Sequence, residues 1–319
     1  MFDYLLFGGI LRSEIEFPEL PVASGGHRVR WTLRRRAAPL APTSAELLGS
    51  DQVNSQVQVH FYRTPDGFRL LFDDTGAFDL SADGATITWD APEGASLRDA
   101  RADLTSRVLA AALYAAGSLC LHGSAVTIDG GAIGLVAPKR HGKSTLALAL
   151  VRSGGRLLTD DTLPIDLSEH PIAHPGLHAT RLWADSAERV ALGSPHASAT
   201  GEKVLFSNLP ADSVTHASAP LNAIYQVSPV QALDDDAPAR RTRLSAVESA
   251  LVIIGNAKLG PLLGKSELPA LFRAGAQLAR QVPVYRLDVV RDLNRLEEVA
   301  ELVQLWHGSA AQRPQLVLT

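Results

Sequence analysis

The sequence has a single cysteine, Cys120, in 319 residues. No intrachain disulfide can form, which agrees with a reducing cytosol. The N-terminal stretch "MFDYLLFGGILRSEIEF" has no basic lead: it carries Asp3 and only a short apolar run. It fits neither a signal peptide nor a spanning helix. The most hydrophobic segment, "VLAAALYAAGSLCL" from Val108 to Leu121, is too short to cross a bilayer and reads as a buried helix running into a strand. There is no surplus of positive charge either, the formal net charge being −4. This gives no general pull toward nucleic acid or an anionic membrane. Arg34-Arg35-Arg36 reads as a solvated strand end. The expectation is a cytoplasmic protein with no nucleic-acid and no membrane partner.

What is present is a globular composition, 46% hydrophobic and 20% charged, with material for a sizeable core. The first ninety residues alternate with the two-residue period of half-buried strands: "HRVRWTLRR", "QVQVHFY", "FRLLF", "AFDL" and "ATITW". Asp74-Thr75-Gly76 and Ala82-Asp83-Gly84 supply turns between them. This region reads as a small antiparallel sheet without a chemical constellation. A helix is expected from about Ser96 to Gly117, with a domain boundary at its start, after Pro92-Glu93-Gly94.

The rhythm then changes. "SAVTID" and "AIGLVA" read as two strands joined at Gly130-Gly131, as in a hairpin. A helix follows from Lys143 to about Arg152, closed by Ser153-Gly154-Gly155, and "RLLTDD" is a strand that ends in two carboxylates. Near the end, "ELPALFRAGAQLARQ" is amphipathic, "VPVYRLDVV" is a strand, and "LNRLEEVAELVQLW" is a closing helix. The stretch from about Pro164 to Pro229 gives the weakest pattern. Asp234-Asp235-Asp236 reads as a solvated loop.

Between hairpin and helix lies "APKRHGKST". A phosphate-binding loop has the pattern G-x-x-x-x-G-K-[ST], and here Ala137 stands at the first glycine. Such a loop points backbone N–H groups and a helix N-terminus at the phosphates of a nucleotide such as ATP. Lys143 is placed to reach the β- and γ-phosphates, Ser144 to ligate Mg²⁺, and Gly142 to leave room for phosphate. Pro138 removes one donor from the cradle, while Lys139, Arg140 and His141 make its middle cationic, and Thr145 completes the expected nucleotide-binding set from Ala137 onward. So short a pattern also arises by chance, and its surroundings raise it: a strand before, a helix after, and Asp160 and Asp161 at the end of the next strand. Phosphoryl transfer needs carboxylates that hold the metal and handle the acceptor proton.

The segment "LHGSAVTIDGGAIGLVAPKRHGKSTLALALVRSGGRLLTDD", Leu121 to Asp161, resembles the catalytic segment of the bacterial HPr kinase/phosphorylase family. It is more closely similar to the HPr-kinase-like proteins of peptide-modification gene clusters, including kinases of lasso-peptide precursors. "FGGILRSEIEFPELP" and "VPVYRLDVVRDLNRLEEV" also resemble segments of those relatives. The resemblance implies an α/β chain (α+β overall): a β-rich domain over residues 1–95, then an HPr-kinase-like P-loop kinase domain over 96–319. It implies ATP and Mg²⁺ as cofactors, and a serine on a peptide or small protein as acceptor. His122 matches the family's active-site histidine, although on its own it reads as a strand-edge or core histidine. Lys143 and Ser144 match the phosphate lysine and the metal-binding hydroxyl. Asp160 matches the carboxylate that takes the acceptor proton and Asp161 its partner near the metal, with an exchange of these two roles left open. A homo-oligomer is compatible with the family, whose HPr kinases are hexamers.

There are departures as well. The Glu-bearing, glycine-rich signature of true HPr kinases is missing between Asp161 and Pro229, which puts HPr as substrate and the reverse reaction in doubt. "HPIAHPGLHATRLWADSAERV" stands there instead and resembles the "PGL-x-LW-x-D" region of the HPr-kinase-like proteins. Pro171 and Pro175 argue against a helix that would align His170, His174 and His178 on zinc. Arg181 and Lys203 read as cations for surface salt bridges or for phosphate. Two rival readings remain: a small-molecule kinase, and a nucleotide-binding regulator without turnover.

Overall fold

Alternating apolar residues in the first ninety positions do form strands in the computed structural model, which describes residues 1–23, 26–36, 44–196 and 204–308. Lys203 lies outside the described residues. The strands are β1 (Phe2–Leu6), β2 (Gly9–Ser13), β3 (Val29–Arg36), β4 (Glu46–Gln52), β5 (Gln58–Thr64), β6 (Gly67–Phe72), β7 (Gly76–Ser81) and β8 (Thr86–Asp90). They make one sheet in the order β1-β2-β3-β8-β7-β6-β5-β4.

The expected small antiparallel sheet is therefore corrected on two counts: it has eight strands, and it is mixed. β3 runs parallel to both β2 and β8. The chain between β2 and β3 does not turn back as a hairpin. It crosses over and buries Ile15, Phe17 and Leu20, so β3 enters alongside β2 in the same direction. Arg36 pairs with Asp79 at 3.0 Å, while Arg34 and Arg35 are exposed.

The expected helix is present but interrupted. Ser96 caps α1 (Leu97–Asp103) by accepting from the Asp99 N–H. Five π-helical residues, Leu104–Val108, then lead into α2 (Leu109–Ala115). This helix lies close against the first sheet: a Cβ on Gly84 would meet the Ala112 carbonyl at 2.1 Å.

The second sheet contains β9 (Leu119–Leu121), β10 (Gly123–Ile128), β11 (Gly131–Val136), β12 (Arg156–Thr159), β13 (Leu163–Asp166) and β14 (Ile172–Ala173). Helix α3 (Lys143–Arg152) connects β11 to β12. The poorly patterned middle holds a small sheet of β15 (Thr180–Leu182), β16 (Ser194–His196) and β17 (Val204–Ser207), with α4 (Ala184–Val190) among them. It also holds β18 (Ala219–Val230), which pairs in parallel with β11 on one side and with β20 (Val284–Val290) on the other. β19 (Ala239–Arg243) closes that edge against β20. The remaining helices are α5 (Ala246–Gly255), α6 (Leu268–Gln281) and α7 (Leu296–His307). The chain is thus α/β, with two large sheets and helices between and outside them.

One face of the second sheet, with Ile133, Leu135, Tyr225 and Leu287, packs on α3 and α7. The other face contributes Val136, Leu163, Ile224 and Val284 to an apolar cluster that continues through α1, α2, α5 and α6 into the first sheet. Trp31, Trp89, Phe61 and Phe78 are all at most 1% exposed in that cluster, each burial contributing about 1.5–3 kcal/mol. Among the described residues, no helix is long and apolar enough to cross a membrane.

Asp103 closes α1 inside this cluster, its carboxylate accepting from the Thr75 hydroxyl at 2.7 Å. Burial raises its pKa to about 7, against the lowering effect of the Thr75 bond. Since the folded pKa lies above the unfolded one, the proton stabilises the fold in acid, and that contribution is lost as pH rises through about 7. Wild-type stability should therefore fall relative to Asp103→Asn by up to about 1.4 kcal/mol per pH unit between the unfolded and folded pKa values. Urea unfolding of both proteins across that range measures this, and parallel curves would refute it.

Candidate functional site

Strand direction assembles the site. β10 is antiparallel to β11 on one side and to β12 on the other, so β11 and β12 run the same way. The loop that leaves β11 and the carboxylates that follow β12 consequently emerge at one edge of the sheet, with the start of β10 between them. The hairpin that sets this up turns on Asp129 and Gly130, both at positive φ (48° and 80°), one residue earlier than expected.

The loop residues are placed as follows. Ala137 is fully buried behind the loop, and Pro138, Lys139 and Arg140 are exposed. Arg140 has φ +70° and lays its guanidinium over the Trp183 ring at 4.9 Å, just before α4. His141 Nδ1 is 3.0 Å from the Lys139 carbonyl. Gly142, at φ +84°, is the N-cap of α3 and has no side chain with which to cap it. The first-turn N–H groups of α3 thus have no side-chain cap and are open to water or a ligand. Lys143 is buried and folds back, its Nζ donating to the Ala137 carbonyl at 2.8 Å and the Pro138 carbonyl at 3.3 Å. Ser144 and Thr145 are half-buried in the first turn.

The loop and the carboxylates meet through Ser144, whose hydroxyl donates to Asp160 Oδ1 at 3.0 Å. Ser124, at the start of β10, donates to the same oxygen at 2.5 Å. Asp160 is 6% exposed. Burial raises its pKa, the Ser124 bond opposes this, and the Asp161 charge adds to the rise.

Asp161 turns away from Asp160 because its backbone is left-handed, with φ +71°. Its Oδ2 accepts from Lys258 Nζ at 2.6 Å and from the Ser106 hydroxyl at 3.0 Å. His122 Nδ1 lies 3.4 Å from Oδ1 and 3.2 Å from the Asp161 carbonyl. Desolvation works against the Asp161 charge, although 48% of the side chain is accessible. Lys258 first and His122 second outweigh it and hold the carboxyl well below the usual range.

Lys258, Ser124 and Ser106 carry no motif and were not foreseen. Lys258 follows α5, a helix that the capping box of Ser245 and Glu248 marks in the sequence. It is held in place by its own N–H on the Cys120 carbonyl at 2.8 Å, and the His122 N–H bonds the Asn256 carbonyl at 2.7 Å.

The "PGL" segment covers the outer edge of β12. Gly176 donates to the Leu158 carbonyl at 2.9 Å, and a Cβ there would meet Thr159 Oγ1 at 2.0 Å. His170 lies in a bend and His174 and His178 in irregular chain, and their contacts diverge. His174 sits between Asp166 and Ser218, each at 2.8 Å, while His178 packs against His216 with ring centres 4.7 Å apart. Arg181 is exposed on β15, away from these contacts. Asp235 and Asp236 pair with Arg240 and Arg295 at 3.1 and 3.0 Å.

No family model matches the chain, and no curated protein matches it. Among solved structures, the HPr(Ser) kinase/phosphatase from Coxiella burnetii overlaps it with a TM-score of 0.32 at 13% identity, over 59% of this chain and 95% of that one. At that degree of overlap the likeness decides no residue's role.

The ion pair between Lys258 and Asp161 can be tested directly. In Lys258→Met the Asp161 carboxyl should titrate at a higher pH than in the wild type, because the main group that favours its charge is gone. Carbon-detected NMR titration of both proteins gives the two curves, and coincident curves would show that Lys258 does not govern this carboxyl.

Proposed function

We propose that the protein is an ATP- and Mg²⁺-dependent kinase that phosphorylates a serine hydroxyl on a peptide or small protein. The observation that supports this most is the 3.0 Å bond from Ser144, in the first turn after the loop, to Asp160, with Asp161 next in the chain and facing the opposite way. A lone Gly-Lys-Ser has no reason to end on a buried carboxyl from another strand.

A hydroxyl and a carboxylate are hard oxygen donors of the kind Mg²⁺ takes, so Ser144 and Asp160 fit the ion. Bound there, Mg²⁺ would supply neutralising charge to the phosphates. Lys143 would exchange its loop carbonyls for the β- and γ-phosphates, and the α3 N–H groups would cradle them. Asp161 stays ionised and partly accessible, which suits the group that orients or deprotonates the acceptor hydroxyl. These roles exchange the two carboxylates relative to the family correspondence: Asp160 stands toward the metal and Asp161 toward the acceptor. Environments that drive two neighbouring carboxyls apart in pKa favour such a division. His122 and Lys258 keep Asp161 charged and oriented. The β-rich residues 1–95 would help to recognise the acceptor chain, and a lasso-peptide precursor is the acceptor class the sequence resemblance names.

The decisive experiment supplies γ-labelled ATP and Mg²⁺ with a peptide-containing extract of the source cells. Label is expected on peptide or protein serine, reduced about 100-fold or more in Lys143→Ala. Asp161→Asn should lose turnover while still binding Mg-ATP, whereas Asp160→Asn should weaken Mg²⁺-dependent nucleotide binding. Label confined to metabolites would replace this reading with a small-molecule kinase. Binding of ATP without transfer to any fraction would favour a nucleotide-binding regulator.

A further inference from the structure

Among the described residues, two hydroxyls reach Asp161 Oδ2: Ser106 at 3.0 Å and Thr162 at 3.5 Å. Thr162 is 2% exposed and closed off. Ser106 is half-buried beside the Asp161 carboxylate, which is itself partly accessible. Its distance falls inside the roughly 2.6–3.2 Å across which a general base takes a proton from a hydroxyl. Among the described contacts, it is the hydroxyl placed against Asp161 as an acceptor serine must be.

The backbone at this point is also unusual. Ser106 is the central residue of the five π-helical positions that interrupt α1 and α2. A π turn inserts one residue into a helix and re-aims the side chains around it, and such turns concentrate at functional sites. A helix-surface serine needs no such distortion. Neighbouring side chains do not claim the hydroxyl either: Thr105 bonds back to the Arg101 carbonyl at 2.9 Å, and Arg107 pairs with Asp51 at 3.0 Å.

We propose that Ser106 is itself a phosphoryl acceptor, so that the protein phosphorylates itself at this position. The inference rests on the kinase reading above. In the step, Ser106 Oγ forms a bond to the γ-phosphorus of ATP as the bond from that phosphorus to the β,γ-bridging oxygen breaks. ADP leaves with the electron pair, and the Ser106 proton passes to the Asp161 carboxylate and then to water. The product places a phosphate beside Lys258, whose Nζ lies 2.6 Å from the oxygen that Ser106 now contacts. It also fills the position an external serine must occupy, so modification of Ser106 and phosphorylation of another chain compete for one carboxylate.

The test uses the full chain with Mg²⁺ and γ-labelled ATP and no added acceptor, followed by peptide mapping with fragmentation that separates Thr105 from Ser106. Mg-ATP binding is measured in parallel by calorimetry. Phosphate on Ser106 is expected in the wild type, at a rate per molecule independent of protein concentration. It should be absent from Lys143→Ala and Ser106→Ala and retained in part by Ser106→Thr. If Mg-ATP binds and no phosphate appears on Ser106, whether label is elsewhere or nowhere, self-phosphorylation is overturned while the nucleotide site stands. If Mg-ATP does not bind, the kinase reading falls and this inference falls with it.

Discussion

A single buried carboxyl, Asp160, joins the elements of the candidate site. It receives hydroxyls from β10 through Ser124 and from the first turn of α3 through Ser144. Without these donors, a carboxyl at a closed sheet edge would cost several kcal/mol to keep charged. With them, it fixes the spacing between the end of β12 and the phosphate-type loop, two elements separated in the sheet by β10. The parallel run of β11 and β12 makes this possible, because both are antiparallel to the strand between them.

The second carboxyl is governed by opposite forces. Asp160 is raised by burial, while Asp161 is held down by Lys258 and His122, and a left-handed backbone at Asp161 directs the two side chains to different surroundings. One proton can therefore be accommodated on the pair at the Asp160 side without neutralising Asp161. A cation beside Ser144 would reverse the balance at Asp160 and leave Asp161 unchanged in sign. Two adjacent residues with the same side chain thus acquire opposite pKa shifts from their neighbours alone.

Much of this was legible from local pattern. The hairpin, the loop, α3 and the strand ending in Asp160-Asp161 each rest on a signal within a few residues, and each lies where the sequence placed it within a residue or two. The failures are non-local. β1 and β2 show in the sequence only as a short apolar run, although Phe7 and Gly8 at positive φ make a tight turn between them. The parallel entry of β3 depends on a crossover that no alternation reveals. In β18 three consecutive buried residues, Ala223, Ile224 and Tyr225, interrupt the two-residue rhythm, and Pro220 and Pro229 read as breakers, so the central strand of the second sheet has no clean signal. Lys258 reaches Asp161 from 97 positions away in sequence, and neither composition nor spacing links them. The π segment keeps the apolar period of a helix, which conceals its extra residue.

That segment bears on why the first sheet is present at all. Asp103, the last residue of α1, is bonded to Thr75 in the turn between β6 and β7, and the Thr75 carbonyl takes the Trp89 indole N–H. Three residues later, Ser106 is bonded to Asp161. Less than one helical turn thus separates an anchor in the first sheet from a contact in the candidate site. The π segment lies between these two contacts, where the helix departs from the regular register. The β-rich region is thus joined to the carboxylate by a short run of hydrogen bonds along this helix, and one apolar cluster runs through both sheets and the helix between them.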